Sequence, residues 1–492
     1  MRVAFQTFGC KANQYDTERM RQELEAEGCR TVESAAEADA VVLNTCTVTN
    51  RADAEARRRI RALTRAHPEL RVIVAGCSAA LHAPVFQGMV GADRVVKGQD
   101  PRAVADAVLG QGSQGGQGGE PATTSGTLVQ IQGGRSSRPA FGTGNSPVPS
   151  PRPVPSFAPP GSGLLERREA GSRGWLKIQD GCDRQCSFCA TRLARGSSRS
   201  RPADQVVAEA RLLARTHPEL VLTGIHIGHY GLDLDGMDLD GMDLEAGKGR
   251  MTLAGLVARL LAEVPGVRLR LGSVEATEVD DALLSLLARE PALAPHLHMP
   301  LQSGSDAVLR RMRRWHTREM YRVRTLQIAE RVAAAGPTTS AGGAVLGLGA
   351  DVITGFPGET DADHRDTLRL VEELPFTYLH VFPFSPREGT PAAALAREYP
   401  VPQRVAAERA RELRECVQAK GEAYLRARVG SGVQAVVERA RPDGSRLGLT
   451  EDYLRLPVCG TRLPDEPGLL PGVIHWRGTH PAIDLTPSSP FN

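Results

Sequence analysis

The chain reads as an α/β protein in three parts. An N-terminal parallel sheet domain is followed by a partial (β/α)6 barrel and a small C-terminal β-domain. Strand-like apolar runs alternate with amphipathic helical patterns twice, in residues 1–109 and again in 173–384, within a part that spans 173–412. Such alternation builds parallel sheets covered by helices. From Val433 onward, short β-like runs surround a turn at Pro442, Asp443 and Gly444, the pattern of a small β-domain. The length of 492 residues, at roughly 150 residues per domain, also suggests about three domains.

In the first part, Arg2–Phe8 reads as a strand and Asp16–Glu27 as a helix. Ala40–Thr45 reads as a buried strand, Ala52–Arg65 as a helix and Arg71–Ala75 as a strand. Residues 110–172 are assigned to a disordered linker whose core, 110–163, holds 13 Gly and 9 Pro. That composition cannot bury enough surface to offset the entropy of ordering it. The barrel strands are expected at Trp175–Gln179, Glu219–Ile225, Val267–Val274, His296–Leu301, Ala350–Phe356 and Thr377–Phe382. Helical patterns separate them at Pro202–Arg215, Thr252–Glu263, Val279–Glu290, Thr317–Ala335 and Glu359–Glu373. A long helix over 401–428 leads into the last domain, 413–492. The tandem DLDGM within Leu232–Glu245 does not match an EF-hand loop and reads as a surface insertion.

Composition excludes several classes. With 60 Lys+Arg against 57 Asp+Glu, the chain is neither a polycation nor a highly charged disordered protein. Aromatics are only 4%, so stacking platforms for nucleic acid are sparse. The N-terminus has too short an apolar run for a signal peptide. The longest uncharged stretch, Val332–Ala350, contains five Gly and a Pro and makes a poor membrane span. A soluble protein of a reducing, cytoplasmic compartment is expected, with no membrane partner. There the nine cysteines argue for metal, catalytic or buried roles rather than disulfides.

Six of those cysteines fall into two sets. Cys182, Cys186 and Cys189 form C-x3-C-x2-C just after the first barrel strand, at the strand end where such barrels place chemistry. Three thiolates on one tight loop can hold three irons of a 4Fe-4S cluster and leave the fourth open. Cys10, Cys46 and Cys77 each follow a strand of the N-terminal sheet by one or two residues. The C-terminal ends of parallel strands share one edge, so these three can converge. Cys29 falls at the opposite edge; with Cys416 and Cys459 it reads as structural.

C-x3-C-x2-C on the first strand of a β/α barrel resembles the radical S-adenosylmethionine (SAM) superfamily. With the GC, NTC and AGC cysteines upstream, the chain resembles the methylthiotransferases. QTFGCKANQYDTERM, NTCTVTNRADAEARRRIR and HLHMPLQSGSDAVLRRMRR most resemble the tRNA branch acting on N6-threonylcarbamoyladenosine. Lys11, Asn13, Gln14 and Tyr15 carry that distinction, because the isopentenyladenosine branch shows GCQMN and the ribosomal-protein branch GCPKN. DVITGFPGET and HVFPFSPREGTPAA also fit the family.

The resemblance implies two 4Fe-4S clusters and SAM. The cluster at Cys182, Cys186 and Cys189 would chelate SAM and cleave it to a 5′-deoxyadenosyl radical that abstracts hydrogen from adenine C2. The cluster at Cys10, Cys46 and Cys77 would carry the sulfur. Thr223 and Gly224, Ser273 and Glu275, Gln302 and Ser303, and Asp351, Gly355 and Gly358 end successive barrel strands and are candidates for SAM contacts. Arg195 is a candidate for the SAM carboxylate or a phosphate. The expected partners are tRNA, an electron donor of flavodoxin or ferredoxin type, and a sulfur source. The C-terminal segment resembles the tRNA-binding TRAM domain, although its charge, 9 basic against 8 acidic over 420–492, is not strongly basic. Two Arg runs could face phosphate: Arg57, Arg58, Arg59, Arg61 and Arg65, and Arg310, Arg311, Arg313, Arg314, Arg318, Arg322 and Arg324. The rival readings are a methylthiotransferase acting on isopentenyladenosine or a ribosomal-protein aspartate, and a non-catalytic iron–sulfur RNA-binding protein.

Overall fold

The computed structural model describes residues 1–47, 50–110, 163–169, 171–234, 251–337, 339–340, 342–460 and 467–486. Expectations for the Gly/Pro-rich core of the linker and most of the acidic insertion lie outside them. Strand Ala40–Thr45 is buried along its whole length, as suits the centre of a sheet covered on both faces. It pairs in parallel with Arg2–Thr7 and Arg71–Gly76, and Arg30–Thr31 adds a short parallel edge. Alternation sorts its side chains. Val42 packs with Met20, Leu24, Val104 and Val108 from helices Lys11–Ala26 and Pro101–Leu109. Val41 and Leu43 pack with Ile60, Leu63, Phe86 and Val90 from helices Asn50–Ala66 and Ala83–Val90.

The second unit carries six parallel strands in chain order. Gly174–Lys177, Glu219–Thr223 and Arg268–Leu271 form one sheet. His296–His298, Gly347–Thr354 and Tyr378–Pro383 form another. Bridges Leu269↔Leu293 and Ser273↔His298 join them, giving the partial (β/α)6 barrel expected. The fourth strand is shorter than expected, ending at His298, and the chain pairs again with the fifth strand at Gln302, whose φ is 67°. Beyond helix Gln403–Arg428, five strands close into a small barrel, consistent with a TRAM-like domain. It is docked through two buried arginines of the third barrel strand. Arg268 donates to the carbonyls of Gln434 and Leu449, and Arg270 to those of Thr450 and Glu451. Both also grip Glu219, whose carboxyl these arginines hold well below the usual range despite burial.

The end of the linker differs from expectation. Leu165 is fully buried in the barrel-domain core. Its N–H donates to Glu209 at 3.0 Å, while Gln22 donates to the Leu164 carbonyl at 2.8 Å and accepts from Glu166 N–H at 3.0 Å. The chain is therefore docked by residue 164, not 173. The Leu164–Leu165 pair supplies an apolar anchor that the composition of the wider segment hid.

Gly355 has a φ of 70°, and a Cβ there would lie 2.3 Å from Ala406 Cβ on the long helix. Both the left-handed backbone and the missing space favour glycine. Gly355→Ala is expected to cost about 2–4 kcal/mol of stability, read as a lower urea midpoint with unchanged slope.

Candidate active site

The N-terminal cysteines do gather at one sheet edge. Cys10 caps helix Lys11–Ala26, Cys46 follows strand Ala40–Thr45, and Cys77 opens helix Cys77–Leu81. Gly9 has a φ of 95°, and a Cβ there would fall 2.3 Å from Cys46 Sγ. Only glycine lets the first loop approach the second thiol so closely. Buried Asn13 stitches the loops together. Its Nδ2 donates to Phe8 O at 2.9 Å and Thr45 O at 2.8 Å, and its Oδ1 lies 3.6 Å from Cys77 Sγ. Burial pushes the Cys77 thiol up to about 12; Arg195 opposes this, while Cys10 and Cys46 raise it further. The three sulfurs are close enough to interact electrostatically, and none of the nine cysteines is in a disulfide. The donor set therefore fits an iron–sulfur cluster with three protein ligands.

The barrel cysteines lie on a loop held from several sides. Gly181 has a φ of 70° where a Cβ would collide with Ser197 O. Cys182 N–H donates to Gly196 O at 3.1 Å, Ser187 N–H to Met312 O at 3.0 Å, and Ala392 N–H to Ser187 O at 2.9 Å. Cys182 Sγ is 3.7 Å from His226 Nδ1, Cys186 Sγ accepts from Arg314 at 3.6 Å, and Cys189 Sγ accepts from Thr191 N–H at 3.4 Å. Burial pushes Cys182 up to about 12 and raises Cys186 as well. This donor set, too, fits a cluster.

Beside this loop stands a group the sequence reading missed. Glu278 lies 2.9 Å from His226, 3.2 Å from His229 and 3.0 Å from Arg184. The Trp315 ring is covered by Arg184 at 3.9 Å and Arg314 at 4.1 Å. The His226–His229 spacing was visible in the sequence; Glu278, 52 residues on and after the next barrel strand, was not.

Among the other expected site residues, Glu275 shares a partner with the cysteine loop. It accepts from Arg314 at 2.5 Å, the same guanidinium that meets Cys186, and burial pushes its carboxyl up to about 7 against that pairing. Thr223 O accepts from Ile178 N–H at 2.9 Å. A Cβ on Gly224 would lie 2.8 Å from Gln179 O. Ser273 is exposed at the end of the third strand. Gln302 N–H donates to Asp351 O at 2.8 Å, and Ser303 Oγ bonds Thr367 at 3.3 Å. The Asp351 carboxylate lies 3.1 Å from His298 and 3.3 Å from His380. Gly358, with a φ of 74°, bonds Tyr399 O, and Gly355 is explained by its packing on Ala406.

Arg195 goes elsewhere. Only 1% exposed, it donates twice to Asp180 at 3.0 Å, to Asp16 at 2.8 Å, to Asn13 at 2.6 Å and to Cys77 Sγ at 3.2 Å. A guanidinium has five N–H donors, and all are used, so none is left for a SAM carboxylate. Lys177 closes the network, 2.7 Å from Asp16 and 2.6 Å from Asp180. Two cations and two anions balance in the buried interface between the domains. Asp180 precedes Cys182 by two residues, so Arg195 ties one cysteine site to the other.

The longer Arg run is also corrected. Arg311 pairs with Asp363, Arg314 with Glu275, Arg318 with Asp366, Arg322 with Glu373, and Arg324 with Asp281. Among the described residues only Arg310 and Arg313 of that run are exposed without an ion pair. On helix Asn50–Ala66, Arg57 pairs with Asp53 and Arg59 bonds Gln6, whereas Arg58, Arg61 and Arg65 are exposed.

Residues 176–371 match the radical SAM superfamily, and residues 2–96 match a family described as uncharacterized protein family UPF0004. The chain is 31% identical to the threonylcarbamoyladenosine tRNA methylthiotransferase MtaB of Rickettsia prowazekii, over 92% of this chain and 90% of that one. The Bacillus subtilis MtaB is 32% identical over 93% and 90%. The chain belongs to the MtaB-type branch of the radical SAM methylthiotransferases. A tRNA-2-methylthio-N(6)-dimethylallyladenosine synthase of Sorangium cellulosum, 34% identical over 89% of this chain and 82% of that one, is a neighbouring relative of this methylthiotransferase. Its fold is similar to the radical SAM methyltransferase TsrM from Kitasatospora setae, at a TM-score of 0.52 and 16% identity over 81% of this chain and 74% of that one. Radical SAM membership implies one 4Fe-4S cluster and SAM. Among the described residues no helix is long and apolar enough to cross a membrane.

Proposed function

We propose that this methylthiotransferase adds a methylthio group to C2 of N6-threonylcarbamoyladenosine at tRNA position 37, next to the anticodon. The observation that carries the reading is the pair of three-cysteine sites on facing sheet edges, joined through Arg195. A non-catalytic iron–sulfur protein would call for four protein ligands at each cluster. The choice of nucleoside is supported by the Lys11, Asn13, Gln14 and Tyr15 motif and by the MtaB relatives, against the isopentenyladenosine and ribosomal-protein alternatives.

When bound, the two clusters and SAM supply electrons, the radical and the sulfur. Cys182, Cys186 and Cys189 would hold the cluster that serves SAM, and Cys10, Cys46 and Cys77 the auxiliary one. The chain's own task is positioning. Ser187 pins the barrel loop, and Asn13 fixes the spacing of the auxiliary loops. Arg195 donates an N–H to Cys77, which steadies thiolate charge there. The buried Asp16–Lys177–Asp180–Arg195 network locks the two domains against each other. Thr223, Gly224, Ser273, Glu275, Gln302 and Asp351 remain candidates around SAM. Exposed Arg58, Arg61 and Arg65, together with the TRAM-like barrel, would meet tRNA phosphates. A flavodoxin- or ferredoxin-type donor, a separate sulfur source and a cytoplasmic location complete the reading.

The test is anaerobic incubation of reconstituted protein with anticodon stem–loops carrying threonylcarbamoyladenosine or isopentenyladenosine, and with a ribosomal-protein peptide. Nucleoside mass spectrometry should find the 2-methylthio product from the first alone. A product from either other substrate, and none from the first, contradicts the assignment.

A further inference from the structure

The inward face of the last two barrel strands carries a wall of which only Asp351, a candidate near SAM, has been considered above. Their register pairs Gly349 with Tyr378, Asp351 with His380 and Ile353 with Phe382. Alternation puts these six on one face, while Leu348, Ala350 and Val352 point into the helix-covered core. Tyr378 and Phe382 lie on this face with the imidazole of His380 between them. A Cβ on Gly349 would lie 2.0 Å from the Tyr378 ring, so that ring lies across the strand where glycine leaves room.

The polar groups of the wall form a chain. Tyr378 Oη lies 2.8 Å from His296 Nε2 and 3.1 Å from His298 Nδ1. His298 Nε2 lies 3.1 Å from the Asp351 carboxylate, and His380 Nδ1 lies 3.3 Å from it. The two imidazoles hold the Asp351 carboxyl well below its usual range, so Asp351 accepts and His380 Nδ1 donates. The chain ends at His380 Nε2, which makes no hydrogen bond among the described residues. The His380 side chain is 53% exposed, and Phe382, next on the same face, is 39% exposed, with ring centroids 6.4 Å apart. Ile353, opposite Phe382, packs in one cluster with Phe188, which lies between Cys186 and Cys189. The wall thus runs from a buried hydrogen-bonded floor to the cysteine loop.

We propose that this wall seats the flipped-out nucleoside, with Phe382 and His380 contacting the purine face and the His298–Asp351–His380 group receiving a charged, hydrogen-bonding N6 substituent. The inference rests on the tRNA reading above and names the subsite within it. Enzymes acting on a base extrude it and stack it on aromatic side chains. Nδ1 of His380 is committed to Asp351, so Nε2 is the one ring nitrogen of His380 left to face the lumen. That nitrogen suits a hydrogen-bonding group of the threonylcarbamoyl substituent. An isopentenyl group would leave it unmet, which disfavours that substrate.

The experiment uses the full reconstituted chain and fluorescent anticodon stem–loops with threonylcarbamoyladenosine, isopentenyladenosine or plain adenosine at the target position. Wild type should prefer the threonylcarbamoyl loop over plain adenosine. His380→Phe should cut that preference by about tenfold or more, and His380→Gln should keep part of it. Phe382→Ala should weaken all three loops alike. A general structural defect would lower every affinity together and leave the preference, so an intact preference in His380→Phe overturns the proposal. If wild type shows no preference and forms no methylthio product, the tRNA reading fails and this inference with it. If wild type makes the product but His380→Phe discriminates normally, only the wall assignment falls.

Discussion

Cys186→Ala is expected to stop SAM cleavage, lowering 5′-deoxyadenosine formation more than about a hundredfold under dithionite. Loss of an outer-sphere partner costs a metal site about 10–100-fold, so loss of one of only three thiolate ligands costs more. The fold should survive. The loop remains anchored through Ser187 to Met312, Arg311 and Ala392, and Arg314 keeps its partner Glu275. Normal 5′-deoxyadenosine formation by the variant would show that the barrel cysteines are misassigned.

The second large effect separates the two sites. Cys46→Ala should abolish methylthio transfer while 5′-deoxyadenosine still forms, because Cys182, Cys186 and Cys189 lie in the other domain. The substitution removes a ligand from a site whose remaining thiols, Cys10 and Cys77, cannot hold the same cluster. Parallel measurement of 5′-deoxyadenosine and methylthiolated nucleoside checks it. Full methylthio transfer by this variant would refute the auxiliary site.

Much of this was legible in the sequence where a local signal carries the information. Ala40–Thr45 could be read to the residue, because its Ala40–Leu43 portion is the apolar run of a strand buried on both faces. The barrel strands showed through their alternation with helices that begin at capping residues, such as Thr252, Thr317 and Thr360. Parallel topology alone allowed Cys10, Cys46 and Cys77 to converge. Helix Pro101–Leu109 was overlooked although Asp100 caps it, Pro101 opens it and Gly110 ends it in the left-handed region. The signals were present and went unweighed beside the linker.

What could not be read depends on docking between distant segments. Arg195 was expected at SAM because it follows the cysteine loop. Its partners Asn13 and Asp16 lie about 180 residues earlier, and only the packing of the two domains reveals them. The Arg310–Arg324 run looked like a phosphate-binding face because a sequence displays charges without their partners. Glu275 lies 39 residues from Arg314, and Glu373 lies 51 from Arg322. The His298–Asp351–His380 group likewise exists only through the register of three parallel strands.

Two clusters, each on three cysteines, are the centre of the account, and an iron count tests them most directly. After anaerobic reconstitution, iron and labile-sulfide analysis should give about eight irons per chain. Replacing Cys182, Cys186 and Cys189 together by Ala should leave about four, and so should replacing Cys10, Cys46 and Cys77. About four irons in the wild-type chain, with one of the two triple variants losing none, would contradict the two-cluster arrangement.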